Sequence, residues 1–178
     1  MGIPTLIGSA HTASDAASID ITSGIDSTYD EYMFVLTDIN PATDSQNLTV
    51  QFNTSGGSGF NETMTTTFFK SKHRTNDTTL FSYTDGSDQG QGTAYQSIGL
   101  AVGNGSDESC AGILHLFSPS NTTYVKHWWS RIHLHEGDDS SETDFVAGYI
   151  NTTTAIDEIS IKFSSGNMDG VIQMYGIA

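Results

Sequence analysis

Along the chain, apolar residues recur at every second position far more often than at every third or fourth. Ile19 and Ile21 alternate with polar residues in SIDIT, Leu48, Val50 and Phe52 in NLTVQFN, and Ile159, Ile161 and Phe163 in EISIKF. A period of two puts one apolar row on one side of an extended chain, so these segments are predicted to be half-buried strands. Denser apolar runs surround Phe34 (EYMFVLTDI), Leu114 (AGILHLF) and Val146 (TDFVAGYI), and a fourth, GVIQMYGI, lies near the end. These are expected to be strands covered on both faces. Between them lie Asn40-Pro41, TSGGSG (54–59), DGSDQGQG (85–92), GNGSD (103–107) and EGDDSS (136–141), all rich in turn formers. About eight to ten strands and no helix predict an all-β chain, an antiparallel β-sandwich of the jelly-roll type, with another Greek-key sandwich as the alternative. No repeat, heptad pattern or Gly-X-Y run supplies a fibre shaft.

Residues 1–17 (MGIPTLIGSAHTASDAA) are the least strand-like stretch. They are expected to be an arm preceding a single domain at 18–178. That arm reads as flexible, or as a docking peptide that anchors the domain through Ile3, Leu6 and Ile7.

Charge narrows the possible partners. The 178 residues hold 6 Lys+Arg against 21 Asp+Glu, a formal net charge of -15. So few cations cannot displace the counterions condensed on a nucleic acid, which argues against nucleic-acid binding. The same charge opposes docking on an anionic leaflet, and no apolar run reaches the roughly 20 residues a membrane helix needs, so no membrane insertion is expected. The opening MGIPTLIGSA lacks the basic and long apolar regions of a secretory signal, and a lone Cys110 permits no intrachain disulfide. Both features suit assembly in a reducing cytoplasm.

The most informative segment is Thr123–His135 (TYVKHWWSRIHLH), read as one strand. Its even positions, Tyr124, Trp128, Ile132 and Leu134, are assigned to the core. Its odd positions, Val125, His127, Trp129, Arg131, His133 and His135, form an outward strip. Imidazoles, a guanidinium and an indole side by side suit a subunit interface, a stacked sugar ring or a solvated face. His133 and His135 with Glu136, Asp138 and Asp139 allow a transition-metal site to be drawn, but a histidine-rich contact between copies is the better reading. Protonating such a contact below about pH 6 would weaken it. Asp85, Asp88, Asp138 and Asp139 offer oxygen ligands for calcium, although their spacing does not match a calcium-binding loop.

Motifs for catalysis are missing: there is no G-x-S-x-G, H-E-x-x-H or G-x-x-x-x-G-K, and Cys110 begins an apolar strand as a buried thiol would. No cofactor is expected. The N-x-[ST] triplets at Asn47, Asn53, Asn61, Asn76, Asn104, Asn121 and Asn151 are taken as chance in a chain rich in Asn and Thr.

Several stretches in combination carry a resemblance: GIDSTYDEYMFVLTDINPATDSQNLTVQFN, GGSGFNETMTTTFF, CAGILHLFSPSNTTYVKHWWSR, FVAGYINTTTAIDEISIKFSSGNMDG and VIQMYGI. Together they cover most of residues 18–177, and the chain resembles a family of small virion proteins of marine tailed phages, including those of cyanobacteria. The resemblance implies a non-enzymatic structural protein on the particle's outer surface, assembled in the host cytoplasm, often as a jelly-roll trimer. Its partners would be copies of itself and other virion proteins of the capsid or tail. A head-associated decoration subunit is the first expectation, because no shaft is present. A tail fibre or tail-attached knob touching host-surface glycans through the His127–His135 strip is the alternative, and a free carbohydrate-binding module the third.

Overall fold

A computed structural model describes residues 2–178. Among them there is no helix; thirteen strands run β1 (Thr5–Ala16), β2 (Ile19–Ile21), β3 (Glu31–Pro41), β4 (Gln46–Thr54), β5 (Met64–His73), β6 (Thr79–Tyr83), β7 (Gly90–Gly92), β8 (Gln96–Val102), β9 (Cys110–Phe117), β10 (Lys126–Glu136), β11 (Ser140–Ile150), β12 (Ile156–Phe163) and β13 (Met168–Ile177). Every pairing is antiparallel. The chain is a jelly-roll-like β-sandwich, as its period-two pattern predicts.

The large layer runs β1-β13-β3-β9-β10-β11-β5, with β6 and β7 both pairing β5. The small layer runs β2-β12-β4-β8. They join where Glu136 at the end of β10 pairs with Val102 at the end of β8, so one hydrogen-bonded path folds over on itself. Phe52 of β4 meets Trp128 of β10 across the core, ring centroids 5.6 Å apart. Both are buried, with Leu48, Val50, Ile132, Leu134, Ile159 and Ile161 around them.

The strand count exceeds expectation in part because two short strands (β6 and β7) carry too few residues to show a period, whereas β2 is the strand its alternating Ile19 and Ile21 predict. A further difference is the supposed arm. Thr5–Ala16 is an edge strand of the large layer, paired with β13 from Thr5↔Gly176 to Ala16↔Met168. Irregularities between Ile7 and His11, where Gly8 adopts φ +66°, and between Ala13 and Ala16 break its alternation. Its inward apolar residues, Ile7, Ala13 and Ala16, are too few and too irregularly spaced to show as a stripe. The three suggested anchor residues separate: Ile7 packs against the core, while Leu6 and Ile3 are exposed.

Coverage is the reverse of what residue density predicts. The dense runs in β3, β9, β11 and β13 bury one row each, and most of their second row is only half-covered. NLTVQFN in β4, read as half-buried, is buried throughout from Leu48 to Asn53. The polar row there is closed over by hydrogen bonds: the Gln51 side-chain amide donates to the carbonyls of Glu62, Thr93 and Ala94, and Asn53 donates to Glu158. A buried amide with this many partners locks neighbouring loops onto the strand.

One end of the interior is ionic. Three of the six cations point inward, Lys70 and Lys72 at that end and Lys126 at the other end of β10. Lys70 pairs with Glu142 at 3.0 Å; Lys72 bridges Glu136 and Asp138. Glu142 and Asp144 sit two apart on the inner row of β11, both fully buried, and Asp144 accepts the Leu100 N–H at 2.7 Å. Desolvation, then repulsion from Glu142, pushes the Asp144 carboxyl from 3.8 up to about 8. The folded chain therefore keeps a proton there that the unfolded chain releases, and the associated stability, complete below about pH 4, is lost as pH rises through about 8.

Two stability measurements follow. Asp144→Asn keeps an acceptor for Leu100 and removes the buried charge, so urea denaturation is expected to show it more stable than the unsubstituted chain at about pH 9 and little changed at about pH 5. Trp128→Ala, which empties the contact with Phe52, is expected to cost about 3–5 kcal/mol in the same assay.

Candidate functional site

Strand β10 pairs along most of its length with β9 on one edge and all along with β11 on the other. The predicted register holds from Lys126 onward: Trp128, Ser130, Ile132 and Leu134 are buried, while His127, Arg131 and His133 are exposed. The strand starts later than expected, and Tyr124, assigned to the core, is 70 % exposed. Asn121 explains the difference, since its side-chain oxygen accepts the N–H groups of Thr123 (2.7 Å) and Tyr124 (3.0 Å) and holds the segment in a turn. Lys126 takes the first inward place instead, its ammonium donating to the carbonyls of Tyr124 and Thr152.

Sheet pairing extends the outward strip into a surface. One rung runs Leu6, Tyr175, Met33, His115, Trp129, Ala147, Thr67 across seven strands. Another runs Gln173, Val35, Ile113, Arg131, Phe145, Phe69, Tyr83. Within it Trp129 stacks on His115 (4.3 Å, 13°) and Phe145 on Phe69 (4.9 Å, 7°), with Phe81 tilted against Phe69 and His127 edge-on to Tyr149. His115 in turn bonds Glu31 through its Nδ1. Offset and edge-on aromatic pairs hold these rings in fixed orientations.

The face is unlike the rest of the molecule in charge. The outward positions of β9, β10, β11, β5 and β6 hold no carboxylate in a chain with 21 of them, yet they carry Arg131 and five of the six histidines: His73, His115, His127, His133 and His135. At its β6 edge Phe81 and Tyr83 expose 74 % and 51 % of their surface. The sequence pattern pointed to the β10 row alone. Of the missed partners, His115 and Phe145 lay inside runs whose apolar density hid which residues faced out, and Phe69 and Phe81 lie on β5 and β6, where no apolar period marked a strand.

A cleft of about 520 Å³ opens beside His127, lined by Phe117, Tyr124, Val125 and Thr153. At the opposite end of β10, His135 meets Glu108 and Asp139. His133 takes no part there, being hydrogen-bonded to the Thr143 hydroxyl at 3.1 Å. The acidic loops considered for calcium do not converge: Asp88 accepts the Tyr83 hydroxyl and Asp138 pairs with Lys72. The neighbouring Ser140 hydroxyl first, and then the Lys72 ammonium, hold the Asp138 carboxyl below the usual carboxylate value. Cys110 is buried at the start of β9, and desolvation pushes its thiol up, which keeps it protonated.

No protein-family model matches the chain, and no curated protein matches it. Among solved structures, a legume lectin-like domain from Entamoeba histolytica aligns over 99% of this chain and 88% of that one, at 7% identity and a TM-score of 0.25. Likeness at that level carries no argument about fold or function.

Proposed function

We propose that this domain is a non-enzymatic structural subunit of the outer surface of a tailed-phage virion. In this reading it is a head-associated decoration protein that assembles with copies of itself, as a trimer, through the outer face of β9, β10, β11, β5 and β6. The carboxylate-free aromatic and imidazole surface carries the proposal. Two chains of charge -15 repel wherever their acidic surfaces meet, so close approach is cheapest where neither presents a carboxylate. The same surface exposes large rings, whose removal from water drives association. Resemblance to marine-phage virion proteins supplies the particle and the trimer. The acidic remainder suits a surface that must stay dispersed.

A second reading, a tail-attached knob gripping a host-surface glycan, has one observation in its favour: the cleft beside His127, where the exposed Tyr124 ring adjoins Asn121 and Thr123. Aromatic faces with neighbouring amides and hydroxyls suit a sugar ring.

Location tests the function. Immunogold labelling of purified particles with an antibody to this chain is expected over the head; label confined to the tail would favour the knob. Sedimentation tests the interface. The chain is expected to sediment as an oligomer near neutral pH, and Phe81→Asp, at a position too exposed to disturb folding, to yield folded monomers. Trp129→Ala is expected to weaken association by about 2 kcal/mol or more.

A further inference from the structure

We propose that Glu108, His135 and Asp139 form a binding site for a divalent transition-metal ion of the zinc class. The three come from separate segments: the loop before β9, the end of β10 and the turn into β11. Their donor atoms lie within 4.8 Å of one another. Glu108 Oε1 is 3.7 Å from His135 Nδ1, and Asp139 Oδ1 is 4.0 Å from His135 Nε2. Around zinc, bonds of about 2.0–2.2 Å in a tetrahedron place donors about 3.3 Å apart. Those two distances reach opposite nitrogens of the imidazole, of which one ion takes a single one, so from a spread of 4.8 Å the donors need to close by up to about 1.5 Å, a movement open to the Asp139 side chain, which is 76% exposed.

The other two donors are held in place. The Gly105 N–H donates to Glu108 Oε2 at 2.6 Å, which leaves Oε1 for the imidazole side. A side-chain carbon at Gly103 or Gly105 would collide with that carboxylate, so both glycines keep its place open. Backbone bonds fasten the loop to the strand on both sides of His135: Gly103 N–H donates to the His135 carbonyl, and His135 N–H to the Ser109 carbonyl, each at 3.1 Å. Glu108 is largely buried and Asp139 largely open, so the site has a fixed floor and a closing arm.

Ligand chemistry selects the ion. Calcium and magnesium take oxygen donors, whereas one imidazole with two carboxylates suits zinc and its neighbours. Three protein donors leave a fourth position to water, and the bound ion would tie the 103–109 loop to the β10–β11 turn. His135 ends the outward row of the face proposed for self-association, but Glu108 and Asp139 lie off that face, so Asp139→Asn reads the metal site and Phe81→Asp the association independently.

The experiment is calorimetric titration of the metal-stripped full chain with Zn²⁺, repeated with Co²⁺ to follow its visible absorption. One ion per chain is expected, with Ca²⁺ not competing. His135→Ala and Asp139→Asn are each expected to weaken Zn²⁺ binding about 100-fold, and His133→Ala to leave it unchanged. Asp139→Asn keeps the fold, because asparagine accepts the φ of +61° found there. The proposal is overturned by absence of Zn²⁺ binding to the unsubstituted chain, by binding that survives both ligand substitutions, or by loss of binding on His133→Ala, which would place the ion on the open histidine face.

Discussion

The pleat of β10 is the constraint on which the other features depend. A strand hydrogen-bonded on both edges cannot rotate, and successive side chains must go to opposite faces. With Trp128, Ile132 and Leu134 committed to the core, His127, Trp129, Arg131 and His133 have no choice but the outside. The same rungs then fix the neighbours: His115 must lie beside Trp129 and Phe145 beside Arg131. A slip of one residue would bury the imidazoles and expose the indole of Trp128.

The distribution of charge follows from the same sheet. With only six cations, the chain places three inside, two of them against carboxylates: Lys70 on the buried Glu142 of β11, and Lys72 on Glu136 and the more open Asp138. Burying ions is costly unless partners lie at hand, and Lys70 and Lys72 are the register neighbours of Asp144 and Glu142. That arrangement leaves the exterior still more acidic than the formal charge suggests. Against it, the outer face of β9, β10, β11, β5 and β6 is distinct: apolar, aromatic, weakly basic and flat enough for its rings to stack. One surface combines the least repulsion with the most apolar exposure, and the proposed assembly uses it.

The two ends of β10 differ in kind. Beside His127 a turn built on Asn121 throws Tyr124 outward over a cleft. At His135 the loop before β9 and the turn into β11 close over the strand end and bring two carboxylates to one imidazole. The chemistry therefore sits where the strand meets its loops, and the uniform pleat between serves as a platform.

The sequence by itself determined the all-β class, the sidedness of β10 from Trp128 to His133 and the buried state of Cys110, because each is local: a period of two states which residues share a face, whatever lies across from them. It did not determine β1, whose irregular edge pairs with a strand more than 150 residues away, nor which dense runs were covered on both sides, since that depends on loops reaching back to Gln51. Nor did it find Glu108 beside His135. That meeting, the ionic interior and the rungs that gather five histidines on one face arise from strand order, and only the tertiary structure decided it, because hydrogen-bond register joins residues that the chain itself keeps far apart.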